Sequence, residues 1–94
     1  MKQYYSSGDG LFVASTVRLS KYKYRVYTID LLSTLPQYRK QGYARKVMEE
    51  VIADADAFEV ALRVVCVEAL NPFYTSLGFE KSSSSFDVWR RISK

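Results

Sequence analysis

Histidine is absent from this sequence, and cysteine occurs once, as Cys66. These two shortages exclude several chemistries together. A single thiol forms no internal disulfide, and metal sites built on imidazole or on several thiolates lack their ligands, so no metal is expected. Serine and cysteine nucleophiles that rely on an imidazole base are excluded as well. What remains for chemistry is carboxylate, tyrosine, backbone amide or a bound cofactor. Cys66 lies inside an apolar run and reads as a small core residue. Also missing are an apolar run of the ~20 residues a membrane span needs and a charged-then-apolar leader. A soluble, cytoplasmic domain with no membrane contact is therefore expected.

Residues that build a core are plentiful. Hydrophobic residues make up 48% and aromatics 15%, enough for a packed interior rather than disorder. With 94 residues the chain is read as one domain, 1–94, with no room for a second core. Its charge is uneven. Residues 1–47 carry nine cations against Asp9 and Asp30, whereas residues 48–94 carry five cations against eight acids. A basic half points to an anionic ligand (nucleic acid, lipid headgroups or a phosphorylated cofactor), unless the charges are ordinary solvated faces.

Gly8-Asp9-Gly10 is a turn signal, and Leu11 to Leu19 reads as a strand. Ser20-Lys21 is the next expected turn. Tyr22 to Ser33, rich in Tyr, Val, Ile and Thr, is the next strand, so the opening third reads as an antiparallel meander. Leu35-Pro36 ends it. The period then changes: Ala44, Val47, Met48, Val51, Ile52 and Ala55 form one apolar helical stripe. Val60 to Val67 reads as a strand buried on both faces. Asn71 to Leu77 suits a short helix, with Asn71 as cap, Pro72 in the first turn and Gly78 as stop. Phe79-Glu80-Lys81 opens a further strand, Ser82 to Ser85 is a polar turn, and Phe86 to Ile92 closes the chain. The order is strands, helix, strand, short helix, hairpin, which is a mixed α/β domain.

Between strand and helix lies Arg39-Lys40-Gln41-Gly42-Tyr43-Ala44. The first amides of a helix have no internal partner and carry the positive end of its dipole, so an anion is their natural occupant. Gly42 lets the backbone come close to a bulky group, Ala44 keeps its side chain small, and Arg39, Lys40 and Arg45 add positive charge. The loop is neither a P-loop nor a dinucleotide fingerprint, because the Gly-Lys-Ser/Thr ending and the further glycines are missing. Taken alone, it fits a phosphate cradle or a plain strand-to-helix turn.

Two stretches together carry a resemblance. Pro36 to Ala44 resembles the P-x-x-R-x-x-G-x-G/A signature of the GNAT superfamily of N-acetyltransferases. Downstream, Phe73-Tyr74-Thr75-Ser76-Leu77-Gly78-Phe79 resembles the family's F-Y-x-x-L-G-F motif, and Ile29 to Thr34 resembles its fourth strand. The resemblance covers roughly residues 24–92. It implies a GNAT-like core, here without the usual first strand and two helices, and acetyl transfer from acetyl-CoA to a primary amine by direct attack. It implies that the pyrophosphate rests on the amides of Arg39, Lys40, Gln41, Gly42, Tyr43 and Ala44, and that pantetheine pairs with backbone at Leu32, Ser33 and Thr34. Tyr74 matches the tyrosine that protonates the departing thiolate. Many members carry a glutamate base where Thr28 stands here. In its place Asp30, two residues on and on the same strand face, or Glu68, at the end of the next strand, could serve. A CoA-binding module without activity is the alternative implied by the reduced N-terminal side. Lys21, Lys23, Arg25 and the tyrosines among them read as a solvated face, so nucleic acid is not expected. Exposed tyrosines and terminal strands fit a homodimer.

Overall fold

The computed structural model describes residues 1–8, 12–65, 71–81 and 87–90. Among the described residues six strands form one mixed sheet: β1 (Tyr4–Ser7), β2 (Ser15–Lys23), β3 (Val26–Thr34), β4 (Ala61–Val65), β5 (Glu80–Lys81) and β6 (Asp87–Arg90), in the order β1-β2-β3-β4-β6-β5. Helix α1 (Tyr43–Ala57) joins β3 to β4, and α2 (Asn71–Ser76) lies between β4 and β5. This is the expected order of strands, helix, strand, short helix and paired terminal strands. No helix among the described residues is long and apolar enough to cross a membrane.

The expected helical stripe is the buried face of α1. Val47, Met48, Val51 and Ala55 are fully buried, against Tyr5, Val17, Leu19, Ile29, Leu62 and Val64 of the sheet. Each strand presents alternate residues to the helix, and burial of these two faces supplies most of the driving force. The helix ends without glycine. Glu59 takes a left-handed φ of 55°, and the Val60 amide donates to the Ala55 carbonyl at 2.9 Å, which satisfies a carbonyl of the last turn.

Three details of the meander differ from expectation. Strand β1 was not expected, because four residues of Tyr-Tyr-Ser-Ser carry too little pattern to stand out. It pairs antiparallel with β2, from Tyr4 with Arg18 to Ser7 with Ser15. Strand β2 begins at Ser15 rather than Leu11. The turn falls at Tyr24-Arg25 and not at Ser20-Lys21, since Ser20 and Lys21 pair with Thr28 and Tyr27, and Arg25 accepts the left-handed φ of 57°.

The register of β3 positions the site. Leu19 pairs with Ile29 but Arg18 pairs with Leu31, so Asp30 is an extra residue, a β-bulge. On its other edge β3 runs parallel to β4, and that ladder ends with Ile29 against Val64. Beyond it β3 continues through Thr34 with no partner strand on that side among the described residues, and the two strands part.

Candidate functional site

Where β3 and β4 part, a cleft of about 1100 Å³ opens, slightly above the ~300–1,000 Å³ usual for small-molecule sites. One wall is the free edge of β3, Asp30 to Thr34. Its backbone groups on that side have lost their ladder and face the cavity, ready for an extended ligand to pair with them. The opposite wall is Val64 and Val65 of β4 with Phe73 and Tyr74 of α2.

The floor is the loop into α1. Pro36–Tyr38 make one 3-10 turn, Lys40 takes a left-handed φ of 62°, and Gly42, the helix N-cap, has φ 87°. That backbone favours glycine, and a Cβ placed there would meet nothing within 4 Å. The glycine therefore leaves open space in front of the helix terminus. The first amide of this helix to bond a backbone carbonyl is that of Lys46, which donates to Gly42 at 2.9 Å. Among the described residues, the amides of Gln41 to Arg45 donate to no carbonyl. The first turn contains no acidic residue, and Arg39, Lys40 and Arg45 line the cleft. Unpaired amides, a helix dipole and three cations give this floor the character that favours an anion.

Several contacts fix the loop. The Arg39 side chain donates to the Thr34 carbonyl at 3.3 Å, tying the loop back to β3, and Ser7 Oγ donates to the Tyr43 carbonyl at 2.8 Å. Phe12 stacks on Tyr38 at 4.5 Å, and Tyr43 meets both rings edge-on at 6.3 and 5.7 Å. Arg45 crosses to α2, donating to Ser76 Oγ at 2.7 Å while lying 5.8 Å from the Phe73 ring centroid. Phe12, which stacks on Tyr38, had no part in the motif, and its role depends on a contact between distant segments.

Most residues singled out from the sequence meet here. Asp30, Leu32, Ser33, Thr34, Arg39 and Lys40 line the cleft, as do Gly42, Tyr43, Ala44 and Tyr74. Gln41 does not line it; its side-chain amide donates to the Gln37 carbonyl at 2.9 Å. Glu68 and Cys66 lie outside the described residues. Tyr74 is buried between Phe73 and Phe79, with ring centroids 5.3 and 5.4 Å away. Asp30 is exposed at the bulge, so simple alternation from Thr28 does not carry across it. Thr28 is engaged elsewhere: its hydroxyl accepts from the Arg63 guanidinium at 3.1 Å. A cation thus occupies the neighbourhood of that position. Among the described residues no group of three acidic or thiol side chains is placed to hold a metal.

Residues 7–81 match the acetyltransferase (GNAT) domain family. No curated protein matches the sequence. Among solved structures, the N-acetylglutamate synthase of Neisseria gonorrhoeae, complexed with coenzyme A and L-arginine, aligns with a TM-score of 0.81 at 15% identity. It covers 98% of this chain, which spans 25% of that protein. The ribosomal-protein-S18-alanine N-acetyltransferase of Escherichia coli aligns at 0.80 and 18% identity, over 97% of this chain and 69% of its own. A GNAT family N-acetyltransferase of Escherichia coli, in complex with CoA, aligns at 0.70 and 20% identity, over 86% of this chain and 53% of its own.

Proposed function

This chain belongs to the acetyltransferase (GNAT) family, and from that premise we propose that its cleft binds acetyl-CoA and passes the acetyl group to a primary amine. One observation carries the reading: the β3–β4 ladder stops at Ile29 and Val64, and the free edge of β3 leads straight into a loop of unpaired amides. An extended pantetheine with a diphosphate at one end needs both features in that order. CoA complexes among the structurally similar proteins support the same ligand.

Each part of the cleft then has a task. The amides of Gly42 to Arg45 hold the pyrophosphate, with Arg39, Lys40 and Arg45 offsetting its charge. The free edge of β3 at Leu32 to Thr34 pairs with the pantetheine amides. When bound, acetyl-CoA supplies an activated thioester. A backbone amide near Leu32 stabilises the charge that grows on its carbonyl oxygen. Asp30, exposed at the cleft margin, takes the proton that the amine gives up. The Tyr74 phenol hands its proton to the departing thiolate and is well suited to it, lying on the opposite wall.

Thiol release from acetyl-CoA across a panel of amines tests this reading. Product formation that depends on Tyr74 supports it; cofactor binding without thiol release for any amine would refute it. A second reading, a CoA-binding module without turnover, is favoured by the engagement of Thr28 with Arg63 where relatives carry a base. Unimpaired cofactor binding by a Tyr74→Phe protein that is no less active than wild type would select it.

A further inference from the structure

Asp30 borders two cavities. Besides the cleft, it lines a shallow recess of about 570 Å³ with Gln3, Tyr4, Arg18 and Leu19. This recess lies where β1, β2 and β3 meet at the bulge. Arg18 pairs across the strands with Tyr4 on one side and Leu31 on the other, which makes Asp30 its diagonal neighbour. Both charged side chains are exposed. Among the described residues neither makes an ion pair or a side-chain hydrogen bond, although they stand on adjacent strands. Opposite charges placed this close usually pair with each other, at small gain when exposed. Here each is left with its donors or acceptors free, and both residues line the recess.

We infer that this recess is the acceptor subsite, and that the acceptor is an amine bearing a carboxylate close to its nitrogen, as in a free amino acid. The inference rests on the proposed acetyl transfer. An ammonium group matches the Asp30 carboxylate, and a carboxylate matches the guanidinium fork of Arg18, which binds such a group through two parallel hydrogen bonds. Tyr4, half-exposed, gives the recess an apolar wall, and Gln3 offers an amide.

Asp30 lines both hollows. A nitrogen held by its carboxylate would stand between the recess and the cleft that receives the thioester. Asp30 first takes one proton from the ammonium, and the freed lone pair forms its bond to the acetyl carbonyl carbon as the carbon–sulfur bond breaks. The thiolate leaves with a proton from Tyr74, which regains one from the new, positively charged amide nitrogen. Acetyl-CoA and the ammonium form of the amine thus give the amide, CoA and one proton.

The test compares free amino acids with their carboxamides, which keep the amine and lose the negative charge. In thiol release, the wild type is expected to favour the free acid by about tenfold or more in kcat/KM. Arg18→Ala should bring that ratio close to one, Arg18→Lys should restore part of it, and Lys21→Ala, outside the recess, should leave it unchanged. A binding readout stands beside the kinetics: free amino acids titrated into the CoA-saturated protein should shift the backbone amide resonances of Tyr4, Arg18 and Asp30. Equal use of acids and carboxamides, or shifts that avoid these residues, would overturn the subsite while leaving acetyl transfer intact. Loss of thiol release with every amine would instead remove the proposed function on which it stands.

Discussion

Tyr5 shows how much one polar atom can do in so small a core. Its ring is buried under α1, and its hydroxyl donates to an Asp54 carboxylate oxygen at 2.7 Å. Burial, then the hydrogen bond and the charge of Asp54, push its phenol far above the usual tyrosine range. The folded state therefore favours the protonated phenol. The stabilisation is complete below the unfolded pKa near ~10 and is lost as pH climbs above it. Tyr5→Phe should cost about 1 kcal/mol at neutral pH. Urea unfolding at intervals between pH 7 and 11 should also show a shallower alkaline decline for the variant than for the wild type. At the cleft, Tyr74→Phe keeps the buried ring between Phe73 and Phe79 and removes the hydroxyl proposed as proton donor. It should lower kcat about 100-fold while leaving cofactor affinity near the wild-type value, as separate kinetic and calorimetric measurements would show.

At the scale of elements, the helix α1 was readable and the strand edges were not. A stripe at helical spacing states both the element and its buried face, and Val47, Met48, Val51 and Ala55 are the buried residues. Truncation there should be severe. Met48→Ala should lose about 2–5 kcal/mol, seen as a lower urea midpoint, a large share of the ~5–15 kcal/mol such domains possess. The glycine loop was readable for a similar reason, because φ 87° and a close backbone approach ask for one residue type. The bulge at Asp30 could not be read, since it exists only as a mismatch of register between β2 and β3. Strand β1 was hidden by brevity. The Phe12, Tyr38 and Tyr43 cluster was hidden by distance, because residue 12 meets residues 38 and 43 only after the sheet has formed.

Across the whole molecule, the two faces of the sheet differ. Both helices lie on one face: Tyr74 of α2 joins the cluster under α1, and Arg45 and Ser76 link the helices directly. On the other face Tyr4, Arg18, Tyr22 and Leu31 are exposed. The cleft lies where β3 and β4 part and the recess beside Asp30 where β1, β2 and β3 meet, so the proposed donor and acceptor sites occupy separate hollows. This division follows from three local facts: a bulge, an early end to one parallel ladder, and a helix whose first amides are free.

The cofactor is the point on which this division of labour depends, and calorimetric titration with acetyl-CoA tests it most directly, using the wild type and Gly42→Ala side by side. One acetyl-CoA should bind each wild-type chain, with affinity that falls as salt is raised, because the proposed phosphate site is a helix terminus flanked by cations. Gly42→Ala should cost about 1–2 kcal/mol of stability for its left-handed φ, leave a folded protein, and bind the cofactor more weakly because the new methyl group occupies the space in front of the amides. Absence of heat with the wild type, or equal affinity in the two proteins, would contradict the placement of acetyl-CoA in this cleft.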